Sequence, residues 1–188
     1  MKETTPEISN RLKSRSMVRA QALASGVLSL FAALIYFAVD FPFPRVIGSV
    51  AMLAAAAYFA FYLLFERISG YCYRGASTFL SVTGVVVLTI VVHFSGGIVS
   101  PFVFFYFCIL ISEALYGLEN DFTLPVALAG YLLVVGGQAF GLLDYNNSWA
   151  ASVYRSHVAA VLIAVVTSAY LTLTRHITRL MVRNLRAR

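Results

Sequence analysis

Charge is what this sequence lacks most. Only 12% of its 188 residues are Asp, Glu, Lys or Arg, half of the ~25% typical of a soluble domain. So few ionisable groups cannot solvate a globular surface, which excludes a soluble enzyme and a disordered tail. Cysteine is scarce too. Cys72 and Cys108 are the only two, and they form neither a CxxC nor a metal-ligand spacing, so a disulfide scaffold is excluded. Cys108 sits in an apolar run and reads as a small buried hydrophobe. Cys72 is expected at the cytoplasmic face, where thiols stay reduced. Also missing are a nucleophile elbow, a P-loop and a kinase nucleotide-binding motif. These residues therefore carry no recognisable catalytic machinery.

What is abundant is apolar sequence. Sixty per cent of the residues are hydrophobic, and the mean hydropathy is +0.82. A spanning helix uses about 20 apolar residues, so six would use about 120 and leave only short loops and tails. The first apolar run is of spanning length with no cleavage pattern after it, so it is not a cleavable signal.

Punctuation divides the chain into six runs. Residues 20–39 carry no charge until the turn Asp40-Phe41-Pro42-Phe43-Pro44-Arg45, whose two prolines break the helix. A second run covers 46–65, followed by a charged loop from Glu66 to Arg74. The next uncharged stretch is too long for one crossing. Ser95-Gly96-Gly97-Ile98-Val99-Ser100-Pro101 splits it into runs at 76–94 and 101–118. Pro101 suits the first helical turn, where its missing N–H is no loss. Glu119-Asn120-Asp121 is a polar turn, 122–143 is the fifth run, 144–152 a polar loop, and 153–174 the sixth run.

The fold class expected is all-α: an integral membrane six-helix bundle with short loops. Three parts follow: a basic tail at 1–19, the six-crossing domain at 20–174 and a helical connector at 175–188. The charges orient it. Of the 14 Lys and Arg, all but Arg45 and Arg155 fall in the two tails and the loop after the second run. That asymmetry predicts both termini in the cytoplasm. It also makes anionic lipid, not nucleic acid, the partner of the positive charge, since no nucleic-acid recognition motif accompanies it. Tyr36, Phe41, Phe43, Tyr145, Trp149 and Tyr154 then form an outer aromatic belt. Small residues four apart, as in Ser25, Ser29 and Ala33, Gly137 and Gly141, or Ala160, Ala164 and Ser168, suit close packing within the bundle.

No Gly or Pro interrupts 174–188. Leu173, Ile177, Leu180 and Asn184 are spaced four, three and four apart, a short a/d seam with one polar position, which predicts a parallel homodimer. The alternative is a basic amphipathic helix resting on headgroups. The pattern runs on to Arg188, so an output module is expected beyond it. Ile177 rather than an acidic residue follows His176, which therefore reads as a helix-end cation.

The loop between the third and fourth runs is the most informative segment. Paired glycines permit left-handed backbone, and N–H groups there and at the next helix start can donate to a carbonyl. Phe102, Phe104, Phe105, Tyr106 and Phe107 supply flat surface. A tight hairpin with no ligand would use the same residues. His93 and His157 flank this layer and are candidates to bond a ligand carbonyl. Glu113 lies about 18 Å along the fourth helix from Pro101, in the inner half of the membrane, as a bundle-capping group or a proton-linked switch.

Gly96-Gly97-Ile98-Val99-Ser100-Pro101-Phe102 resembles the GGxxNPF heptapeptide of the RegB/PrrB redox-sensing histidine kinases, with Ser100 in place of the family's asparagine. The resemblance implies a six-helix sensor domain of the bacterial inner membrane. It implies quinone bound near the loop, at His93, Gly96, Gly97, Ser100, Pro101, Phe102 and His157, and a cytoplasmic kinase or other output driven through the sixth helix. The full-length protein would then be a sensor histidine kinase. Two other classes compete: a small transporter or channel, against which stand the lack of an inverted repeat and of embedded charge, and a haem protein ligated by His93 and His157.

Overall fold

The computed structural model describes residues 5–39, 43–68, 73–116, 121–144 and 148–186. Glu119, Asn120, Cys72, Phe41, Tyr145 and the side chain of Trp149 lie outside the described residues. The described residues form seven α-helices and no strand: α1 Thr5–Ala38, α2 Val46–Ile68, α3 Tyr73–Phe94, α4 Phe104–Tyr116, α5 Thr123–Ala139, α6 Ser148–Tyr154 and α7 His157–Arg186. Two 3-10 turns, Gly97–Val99 and Pro101–Val103, join α3 to α4.

Four helical stretches are long and apolar enough to cross a membrane: Ser16–Ala38, Val46–Phe65, Gly75–Phe94 and His157–Leu185. Pro101–Ala114 and Thr123–Ala139 are shorter apolar helices. Their outward faces are apolar as well, with Leu53, Leu63, Leu133 and Val158 exposed. A fold that turns both its core and its surface to apolar side chains needs a hydrocarbon solvent.

The helices differ from the sequence expectation at three places. The basic segment before residue 20 is helical from Thr5 and runs into the first apolar stretch without a break. No Gly or Pro lies between Pro6 and Gly26 to stop it. The fifth helix ends at Ala139 rather than 143. Gly141 takes φ +68°, its N–H bonds to the Gln138 carbonyl at 3.2 Å and that of Leu142 to Gly137 at 2.7 Å. These two bonds make a Schellman cap. The polar loop expected at 144–152 holds α6, which stops at Arg155. Ser156 then caps α7, its Oγ accepting from the Ala159 N–H at 3.3 Å.

Packing follows small residues, because apolar area gains nothing when a helix leaves lipid for another helix. Gly26 of α1 admits the ring of Phe59, and Gly130 of α5 admits Thr89. One core joins Val18, Ala22, Ala54, Tyr58, Phe65 and Leu80 of α1, α2 and α3. The larger core joins α3, α4, α5, α6 and α7 around Val92, Tyr106, Tyr131, Leu171 and Ile98 of the loop. Ala160 and Ala164 turn inward there, as bundle packing requires.

Polar contacts sort the two ends. At one end Arg19 lies 5.0 Å over the Tyr62 ring, and Arg175 and Arg179 approach Asp121 at 3.8 and 2.9 Å. Arg19 in the middle of α1 thus lies by the C-terminal part of α2, and the turn before α5 lies by the exit of α7. At the other end Phe43 meets Phe102 edge-on at 5.9 Å, and Tyr154 meets Gln138.

Candidate functional site

The second end holds the loop resembling a sensor heptapeptide, and its shape follows from two glycines. Gly96 has φ +120° and Gly97 +59°, conformations that side chains resist. They turn the chain off α3 into the first 3-10 turn. Ser100 then latches the loop. Ser95 donates to the Val91 carbonyl at 2.6 Å, so the 2.6 Å contact between the two serines is a donation from Ser100 to Ser95. Ser100 Oγ in turn accepts from the Phe102 N–H at 3.1 Å. Ser100 is thus buried and fully used within the turn.

The N–H groups of Val99, Ser100, Phe102 and Val103 are bonded inside the loop, and that of Ile98 reaches the Tyr154 hydroxyl. These five N–H groups are committed to the protein, contrary to the expectation that the loop offers its N–H groups to a ligand carbonyl.

Gln138, at the end of α5, lies directly beneath Gly97. A Cβ at Gly97 would stand 2.7 Å from the Gln138 Cδ and 3.1 Å from its Nε2. Tyr154 donates to Gln138 Oε1 at 2.8 Å. The amide Nε2 faces the carbonyl of Asp144 at 3.3 Å, the carbonyl of His93 at 3.5 Å and Nδ1 of His93 at 3.4 Å. Four segments, α3, the loop, α5 and α6, therefore meet on one side chain that is 1% exposed. Burial pushes the Tyr154 phenol up to about 12, so it stays a neutral donor.

Of the expected site residues, His93, Gly97 and Ser100 come together here, with Gly96 shaping the turn. Pro101 opens the second 3-10 turn. Phe102 packs against the larger core and stacks with Phe105 at 6.2 Å and 20°. Phe104 and Phe105 are 65% and 50% exposed, so this aromatic face looks outward from the bundle. His157 is exposed at the first position of α7, and no hydrogen bond or ring contact links it to His93 among the described residues. No group of three His, Cys, Asp or Glu able to hold a metal ion occurs among them either.

Two residues of the cluster escaped the sequence reading. Tyr154 was expected in the outer aromatic belt; it is buried, with its hydroxyl turned to Gln138. Gln138 had a signal: it is the lone amide in an apolar helix, where an unpaired polar group is expensive.

At the opposite end Glu113 of α4 is 3% exposed and accepts from the Thr123 hydroxyl of α5 at 2.6 Å. It is a bundle-capping group there, close to Arg175 of α7.

Comparison with protein-family models, with curated proteins and with solved structures finds no match to this chain.

Proposed function

We propose that this chain is a six-crossing sensory domain of a bacterial inner membrane, with both termini in the cytoplasm. It binds the ring of a quinone, or another lipid-soluble signal, at the loop end of the bundle. It passes the change through α7 to a cytoplasmic kinase or other output, as a homodimer. The observation that carries this reading is the aromatic face of Phe102, Phe104 and Phe105 beside a loop pinned to three helices. The space beneath Gly97 is filled by Gln138, so the ring lies against the outward aromatic face, reached from the bilayer. Five N–H groups of the loop are already engaged within the protein, and His93 is the side chain assigned to the ligand carbonyl. With Nδ1 engaged by Gln138, its Nε2 is the nitrogen offered. Gly96, Gly97, Ser100 and Pro101 act by fixing the loop.

Three features support the rest. The α4 and α5 helices are apolar and packed among longer helices. Twelve of the 14 Lys and Arg fall in the two terminal segments and the loop after the second apolar run. Leu173, Ile177, Leu180 and Asn184 are all exposed along an unbroken α7, free for a second copy. The test is titration of ubiquinone into protein in quinone-free liposomes, read by the fluorescence of Trp149, the only tryptophan. A saturable response is expected, weakened at least about tenfold by Phe102→Ala or His93→Gln. No saturable response, and no quinone in extracts of the purified protein, would remove the ligand reading. Reporter fusions at Asn10 and Asn147 that give same-side signals would remove the six crossings.

A further inference from the structure

Three hydrogen bonds fix the orientation of the Gln138 amide, and that orientation fixes the state of His93. An amide offers one accepting oxygen and one donating NH2 group. Tyr154 donates to Oε1, while the carbonyls of Asp144 and His93 face Nε2. Carbonyls only accept, so reversing the amide would set its oxygen against the carbonyls of Asp144 and His93 and turn Tyr154 from donor to acceptor. Nδ1 of His93 lies 3.4 Å from that same Nε2. The NH2 group has two hydrogens for three acceptors: one goes to the Asp144 carbonyl at 3.3 Å, and the other lies between the His93 carbonyl at 3.5 Å and Nδ1 at 3.4 Å. Nδ1 can therefore bond there only as an acceptor, and the ring hydrogen belongs on Nε2. A second proton can go only to Nδ1, and it would bring donor against donor.

We infer that His93 is a proton-binding site through which pH at the loop end of the bundle resets the Gln138–Tyr154 hydrogen bonds. With Nδ1 protonated, the amide NH2 is repelled, and the ring is satisfied only if Oε1 turns to accept from it. Tyr154 then faces the NH2 group and gives up its donation. The Tyr154 hydroxyl is also where the Ile98 N–H of the loop is bonded, and Tyr154 is the last residue of α6, with only Arg155 and Ser156 between it and α7. One proton on α3 thereby moves the loop and the base of α7. The chemistry needs no quinone.

The ionisable groups packed around this cluster are few. From α5 and its exit come Tyr131 and Asp144, the latter exposed in its side chain and engaged through its carbonyl. From α6 and the start of α7 come Tyr154, Arg155 and His157, the last two exposed. The loop and the start of α4 bring none between Ser95 and Phe105, and the α1–α2 turn brings exposed Arg45. His157 is the other histidine at this end of the bundle, so it is the control.

The protein has three histidines, His93, His157 and His176, which makes its imidazole nitrogens resolvable by magnetic resonance. In quinone-free liposomes at pH 8, His93 is expected with hydrogen on Nε2 and a bare Nδ1. Acidification to about pH 5 should protonate Nδ1 and change Trp149 emission with the same midpoint, since Trp149 lies on α6 with Tyr154. His93→Asn, whose side-chain oxygen accepts at every pH, should abolish that change. Tyr154→Phe should keep the His93 titration and lose at least half of the emission change. His157→Gln should keep both. Hydrogen on Nδ1 of His93 at pH 8 overturns the inference in the unmodified protein. An emission change that survives His93→Asn or vanishes in His157→Gln overturns it as well.

Discussion

An alanine at position 97 meets two separate penalties, and the structure allows them to be measured apart. The first is backbone strain. Gly97 has φ +59°, and a left-handed conformation costs a residue with a Cβ about 1–2 kcal/mol. The second is the collision with Gln138, whose Cδ would lie 2.7 Å away. The amide must leave, which breaks the 2.8 Å bond from Tyr154. A buried polar group left without a partner costs about 1–3 kcal/mol, and here the Gln138 amide and the Tyr154 hydroxyl are both affected. Gly97→Ala should therefore lose about 3–8 kcal/mol. Gly141 supplies the control: φ is +68° and nothing lies within 4 Å of its added Cβ, so Gly141→Ala should lose only the strain, about 1–2 kcal/mol. Reversible unfolding in mixed detergent micelles reads both. In a Gln138→Ala background the collision is gone, and adding Gly97→Ala should again cost only the strain, giving a coupling of about 2–6 kcal/mol. Equal losses at 97 and 141, or an undiminished cost at 97 without Gln138, would refute this account of the site.

Two further outcomes follow from the other end of the bundle. Thr123→Val leaves the buried Glu113 without the hydroxyl that donates to it and should lose about 1–3 kcal/mol, while Thr123→Ser should hold within about 1 kcal/mol in the same unfolding assay. On a Cys72→Ala, Cys108→Ala background, cysteines at exposed Ile177 or Leu180 should crosslink between subunits several-fold more than one at Thr178, which is half-buried against its own bundle; uniformly low yields would favour a lipid-resting helix.

Hydropathy carried the apolar runs into the structure almost unchanged, because lipid solvation acts on stretches of chain and needs no knowledge of partners. The break at Gly96–Pro101 was legible for the same reason: glycine and proline act locally. The misses are places where partners decide. Ser148–Tyr154 mixes polar and apolar residues over two turns and shows its helix only once Tyr154 is buried against Gln138. The cluster itself joins His93 to Gln138 across 45 positions, a pairing that neither spacing nor composition encodes. The glycines of the loop could be read as a turn from sequence, but not as the seat of a glutamine.

The two polar ends share one strut. The 17 residues of α5 rise about 25 Å, a few ångströms short of a hydrocarbon core, and each end is fastened by a buried side chain, Thr123 to Glu113 and Gln138 to Tyr154. A helix held at both ends passes a displacement on rather than absorbing it. Just before its first residue stands Asp121, which holds Arg179 of α7 at 2.9 Å. On the sensory reading proposed above, a change at the loop would have two routes to the α7 exit: along α7 itself, and along α5 through this ion pair. Asp121→Asn separates them. The aspartate is 89% exposed, so the pair contributes less than about 1 kcal/mol to stability, and the unfolding midpoint should barely move. Its geometric effect should be larger, because a released exit can turn about its axis. In the crosslinking assay the preference for Ile177 and Leu180 over Thr178 should fall at least twofold in Asp121→Asn. A preserved preference would show that α7 carries the signal alone, and a marked loss of stability would show that Asp121 supports the fold and not the coupling.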